Sequence, residues 1–344
     1  VKPTVRKGFN LIELMLVIAI IALLIAIFVP ALSQVRRQGK MAHCWANLQQ
    51  FSVASSTYAA DYDDRIFAFT WRPNNIAGQT QGSPFETKYP DLKYAKNTRE
   101  AIMCQTVDLL RRRAYREDIP RIDWWIPSIY YSHLVLQDYL SQDLPHQMAV
   151  CSEDWRRKNW SNDPKNNYDK WAWWPDQPEP TWTNLRWPYS SSYILVPAAY
   201  DNTNDPRYRL YQGNTHNGYY SSDKTLLGGL RLHQTLFAST KVAMFDMYDR
   251  HFAPKRKEIF QGLAQAKQPL LFFDGSVRIY KTSDSNLGWI PSQPQSTLYT
   301  MYRYQPYHFE PAALDPQGWD DVIGYYKWTR NGLGGVDFDL AEIN

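Results

Sequence analysis

The chain has 344 residues, with 38 Lys and Arg against 34 Asp and Glu, 44% hydrophobic residues, 14 Trp and 3 Cys. This length and apolar content bury a sizeable core and exclude a wholly disordered chain, and three cysteines are too few for a disulfide-built scaffold. Lys2, Arg6 and Lys7 leave 35 basic against 34 acidic side chains in the remainder, so charge gives no case for a nucleic-acid-binding surface.

Leu14 to Val29 is a run of sixteen apolar residues. Extended to Phe9–Leu32, it makes a helix of roughly 36 Å at about 1.5 Å per residue, enough for a hydrocarbon core of about 30 Å. A buried helix of a soluble protein is a poorer reading, because such helices keep a polar face. A cleaved secretory signal shares the basic start and the apolar run, but Val29-Pro30-Ala31 before Leu32 is a poor cleavage site. Glu13 is the oddity: a carboxylate at the edge of hydrocarbon is costly unless a cation meets it. Cleavage between Gly8 and Phe9 would create one, the α-amino group of Phe9, within reach of a neighbouring subunit's Glu13.

The stretch Lys7-Gly8-Phe9-Asn10-Leu11-Ile12-Glu13-Leu14 resembles the processing site of type IV prepilins and type II secretion pseudopilins, with Asn10 where Thr or Ser is more usual. The resemblance implies a basic leader over 1–8 ending in Gly8, a new N-methylated terminus at Phe9, Glu13 as the assembly carboxylate, and Pro30 as a helix-kinking proline. It further implies a prepilin peptidase/N-methyltransferase and other pilin-like subunits as partners. Residues 9–32 would then cross the bacterial inner membrane once, with the remainder periplasmic before assembly into a pseudopilus or cell-surface filament. Basic residues lie on both sides of the span, so charge bias by itself leaves the topology open.

Residues 33–64 read as an amphipathic stalk helix, with Met41, Cys44, Leu48, Phe51, Ser55, Tyr58 and Tyr62 recurring at spacings of three and four. Asp61, Asp63 and Asp64 end the pattern and read as solvent-facing acids, with a metal site as the alternative. Cys44-Trp45-Ala46-Asn47-Leu48 and Phe273-Asp274-Gly275-Ser276 resemble a subgroup of large pilin-like proteins whose processing-associated domain ends in His, nine residues and Asp-Gly. The histidine does not match: Ala264 stands ten before Asp274, and His251 lies too far upstream to share its role.

A helix is predicted over 98–117, capped by Asn97 or Thr98, with Ile102, Thr106, Leu109 and Leu110 on one side. Arg111, Arg112, Arg113 and Arg116 form its cationic end, read as a solvated face, or alternatively as a patch for acidic lipid or a partner subunit. Residues 120–190 read as a large irregular insertion, where nine tryptophans are interleaved with prolines. Two readings stand: rings that pack a loop-rich subdomain, or an exposed surface at Trp171, Trp173 and Trp174 that stacks on extracellular polysaccharide or docks another protein.

Short β-branched or aromatic runs predict strands at 191–196, 241–248, 270–273 and 276–280, with Asp274-Gly275 as a two-residue hairpin turn and mostly loops beyond 289. The fold class is therefore α+β: a long N-terminal transmembrane and stalk helix packed on an antiparallel sheet within an exported domain, 65–344. Asp201, Asn202, Asn204 and Asp205 form a calcium-like set of oxygen ligands that lacks the glycine and distal Glu of an EF-hand, and an ordinary turn is the alternative. Cys104 and Cys151 are a candidate disulfide pair, although spacing does not establish it. No close histidine pair supports zinc, and no nucleophile or phosphate-loop motif points to an enzyme. The expected function is structural, as a specialised pilin-like subunit. The alternative is a membrane-anchored module that binds extracellular polysaccharide or protein through the tryptophans.

Overall fold

The computed structural model describes residues 10–75, 82–140, 144–167, 184–252, 258–307 and 309–338, excepting the side chains of Pro30, Ala31, Ser33, Gln34 and Asn184. Two compact units divide the chain, Val1–Ala42 and His43–Asn344. Helix α1, Leu11–Asp61, begins in the first and ends in the second, its helical backbone continuous through Pro30 and Gly39. It starts on half of a capping box: the Asn10 backbone N–H donates to Glu13 Oε2 at 2.9 Å, satisfying a donor that no helical carbonyl reaches. Over Leu11–Val29 the mean hydropathy is 3.2 and none of the window is buried, so this helix is long and apolar enough to cross a membrane.

Within the second unit α1 buries Cys44, Leu48, Phe51, Ala54 and Tyr58, one residue every three or four. Ser55 is half-buried, and Tyr62 is exposed because the helix stops one residue before it. Asp63 and Asp64 then take positive φ of 56° and 62° and turn the chain. The acids there are solvent-accessible but tied. Asp61 accepts from the Tyr139 hydroxyl at 2.7 Å, Asp63 pairs with Arg231 at 2.6 Å, and Asp64 accepts from His233 Nδ1 at 2.6 Å. They pin the helix end to the short helix that carries Tyr139 and to the segment of Arg231 and His233.

The strands among the described residues are β1 (Tyr193–Leu195), β2 (Tyr211–Gln212), β3 (Tyr219–Tyr220), β4 (Val242–Asp246), β5 (Tyr248–Asp249), β6 (Ile259–Phe260), β7 (Lys267–Phe272), β8 (Val277–Lys281), β9 (Met301–Tyr304) and β10 (Asp320–Ile323). The main sheet is antiparallel in the order β1-β4-β7-β8, and two-stranded antiparallel pairs β2-β3, β5-β6 and β10-β9 surround it. One row of partners, Ile194, Phe245, Leu270 and Arg278, crosses all four strands and turns polar only at the β8 edge. β4 is buried at every position, which is why it reads as an apolar run and not as an alternation. The end of α1 packs on this sheet: Phe51 meets Tyr193 edge-on at 5.9 Å, and Asn47 Nδ2 donates to the Tyr193 hydroxyl at 3.3 Å.

The β7–β8 connection is a three-residue loop, one longer than expected. Gly275 N–H donates to Phe272 O at 3.0 Å and Phe272 N–H to Ser276 O at 2.9 Å, with Gly275 at φ +82°. A type I turn closed by a left-handed glycine twists with the strands as well as a two-residue turn does.

α2, Thr98–Arg113, is capped by Asn97, whose Oδ1 accepts from Glu100 N–H at 2.9 Å. The solvated-face reading is corrected for Arg111 and for Arg116, which lies beyond the helix end at Arg113. Arg111 and Arg116 are buried, Arg111 forked onto Asp91 at 2.8 and 2.9 Å and Arg116 onto Asp118 at 2.7 Å through both arms. Arg112 and Arg113, more exposed, pair with Asp108 and Asp138. The planar guanidinium fork suits buried bidentate pairing, so these cations hold loops to the helix. Two short helices follow, α3 (Gln137–Leu140) and α4 (Trp155–Asn162).

Candidate functional site

At the amino terminus the described chain begins at Asn10, so Gly8 and Phe9 lie outside the described residues. Glu13 sits in the first turn of α1 with its carboxylate folded back on Asn10 N–H. A carboxylate also complements the positive end of the helix dipole there.

In the second unit the structure brings together three side chains that are a hundred residues or more apart in sequence. Cys44 Sγ lies 2.7 Å from Cys151 Sγ, and Cys151 Sγ lies 3.3 Å from His251 Nε2. Cys44 comes from α1, Cys151 from the turn before α4, and His251 from just after β5. The backbone N–H of Ser152 donates to Cys44 Sγ at 3.1 Å. Hydrogen bonding from Cys151 outweighs burial and holds the Cys44 thiol well below its ordinary pKa, with His251 adding to the effect. Burial, and its role as partner to Cys44, push the Cys151 thiol up.

A charged cluster stands behind this trio. Asp154, the α4 cap, accepts from Arg157 Nη1, Arg250 Nη2 and the Ser192 hydroxyl, each at 2.8 Å. Arg250 also reaches Asp246 at 3.1 Å and Glu258 at 2.9 Å. Burial would raise the Asp154 carboxyl, but Arg250 and Arg157 outweigh it and hold it below the usual carboxylate range. Asp246 is pushed up to about 6, by burial first, against the pull of Arg250. Two chemistries are open to the trio: loss of two electrons to join the sulfurs, or a two-sulfur, one-nitrogen grip on a soft cation such as zinc. All three side chains are buried.

This geometry corrects one expectation. Cys151 faces Cys44 and not Cys104, whose thiol is buried within α2 and pushed up to about 11 by that burial. His251 is the third member of the cluster. The buried stripe of α1 marks Cys44 as inward, but its partners come from loops, and spacing carries no signal for them.

The calcium-like set divides into turn contacts. Asp201 accepts from the N–H groups of Thr203 and Leu210 at 3.1 and 3.0 Å, and Asp205 pairs with Arg207 at 2.7 Å. Asn202 Nδ2 donates to Gly228 O at 3.4 Å. Asn204 is exposed beside them. Trp171, Trp173 and Trp174 lie outside the described residues. Of the insertion's other tryptophans, Trp125, Trp160 and Trp187 are buried, with Trp160 and Trp187 both packed on Phe309, while Trp124 and Trp155 are exposed under Arg99 and Arg156. Comparison with models of known protein families, with curated proteins and with solved structures found no match.

Proposed function

We propose that the protein is a pilin-like subunit, cut after Gly8 and packed through its apolar helix into a type IV pilus or type II secretion pseudopilus. The observation that carries the reading is a helix with none of Leu11–Val29 buried, whose first turn completes the stretch Lys7-Gly8-Phe9-Asn10-Leu11-Ile12-Glu13. An apolar cylinder with no cover from its own chain needs lipid or like helices around it. It sits in the membrane before assembly and in a bundle of such helices afterwards, with the β-sheet domain on the periplasmic side.

Glu13 supplies the register. Among the described residues its carboxylate has only the neutral Asn10 N–H, and a charged amine is a stronger partner when water is excluded. The Phe9 amine of the next subunit, freed by a prepilin peptidase and then methylated, is that partner. The domain's bulk favours a specialised position over the repeating wall of a thin fibre. Intact mass and N-terminal sequencing of the chain from membranes of peptidase-positive cells test the reading. A terminus at methylated Phe9 is the expected result, and a retained leader overturns it.

A further inference from the structure

We infer that the cleft between Trp125 and Trp187 binds an acidic sugar residue, whose ring lies against the indoles and whose anionic group takes the guanidinium of Arg186. The cleft holds about 170 Å³. That is room for one six-membered ring, well below the roughly 300 to 1,000 Å³ of sites for larger organic ligands. Its walls are aromatic, and Arg186 is the single charged residue in the lining among the described residues.

Arg186 is the anomaly. Only 8% of it is exposed, and its guanidinium carbon stands 4.7 Å from the Trp125 ring centre and 5.5 Å from that of Trp187. Among the described residues, nothing accepts a hydrogen bond from its buried Nε or Nη1. Arg111, Arg116 and Arg157, equally deep, each meet a carboxylate within 2.8 Å. A buried cation without a counter-charge is a standing cost, and an arriving anion removes it. Burial pulls the Arg186 pKa below its ordinary value, which shows the same cost from the other side.

The neutral groups point the same way. Trp187 Nε1 and the Tyr219 hydroxyl also lack partners among the described residues, and the Tyr131 hydroxyl lies beside Arg186. The Asn217 amide beside them is already engaged, its Oδ1 accepting from Tyr130 and its Nδ2 meeting His216. The cleft therefore offers donors in excess, between flat apolar faces. A pyranose has C–H faces for the rings and hydroxyls for the rim, and its carboxylate or sulfate ester accepts the arginine fork. The site is independent of any filament role, and it uses other tryptophans than Trp171, Trp173 and Trp174.

Intrinsic fluorescence of the full chain in detergent, titrated with trigalacturonate, its methyl ester, a sulfated galactose trisaccharide, its desulfated parent and benzoate, tests the inference. The acidic form of at least one sugar is expected to bind about tenfold tighter than its neutral counterpart, as a charge-assisted bidentate contact requires, and the two acidic arms tell carboxylate from sulfate. Arg186→Met removes that preference, and Tyr219→Phe weakens binding by roughly threefold. Equal binding of acidic and neutral forms, tighter binding of benzoate, or no saturation by any sugar to about 10 mM overturns it. The acid-to-neutral comparison needs no substitution, so it stands even if Arg186→Met fails to fold.

Discussion

The proposed assembly rests on a single side chain, Glu13. Glu13→Gln keeps an acceptor for Asn10 N–H and removes only the charge, so it separates helix capping from pairing with a neighbour's amine. Cleavage should proceed, and recovery in sheared filaments should fall by at least about tenfold, the effect of losing roughly 1.4 kcal/mol per contact. Undiminished incorporation removes the pairing. At the cysteines, alkylation of the unfolded chain, prepared without reductant from an oxidising compartment, should find one free thiol, Cys104, and three after reduction. Three thiols released by a chelator alone would instead mark a bound cation.

Lys327 gives a pH dependence. It is fully buried, donates to Gln212 Oε1 at 2.9 Å, and burial lowers its pKa from 10.5 to about 7. Between those values the unfolded chain holds a proton that the folded chain has lost, so stability rises with pH from about 7 towards 10.5 and is flat below, by at most about 5 kcal/mol. Lys327→Met should flatten the rise in melting temperature between about pH 7 and pH 9.5. Gln212 Oε1 keeps a donor in Trp328 Nε1 at 3.1 Å, so the substitution leaves no orphan there.

At the scale of elements, Gly275 joins turn geometry to packing. With φ +82° and Ser52 Oγ at 2.8 Å from where a Cβ would stand, Gly275→Ala should cost about 1 to 3 kcal/mol in denaturant unfolding. Ser52→Ala in the same chain should recover the steric share and not the backbone share. Asn97→Ala should cost about 1 kcal/mol as a lost cap; Asp223, which accepts from Asn97 Nδ2 at 2.8 Å, stays open to solvent beside Arg99 and adds little to that. These elements were legible because their signals are local: a cap beside its helix, Asp274-Gly275 between two apolar runs, and a stripe of inward residues from Cys44 to Tyr58. Arg111 and Arg116 were misread because charge suggests solvent, whereas their carboxylate partners, Asp91 in a single short helical turn and Asp118 in a loop, carry no periodicity.

For the whole molecule, the two units differ in what they ask of their surroundings. Since none of Leu11–Val29 is buried, a chain beginning at His43 should leave the membrane fraction and keep its melting temperature within about 2 °C. A larger loss would mean that the apolar helix stabilises the domain.

The sequence by itself determined an N-terminal helix long and apolar enough to cross a membrane, and the α+β class, because hydropathy runs and turn residues act over a few positions. Only the tertiary structure decided which cysteine faces Cys44, that His251 joins them, and that Arg186 is buried between indoles without a carboxylate. Those arrangements depend on loops folded onto one core, where partners are chosen by space and by the need to satisfy buried charge, and neither is written in spacing along the chain.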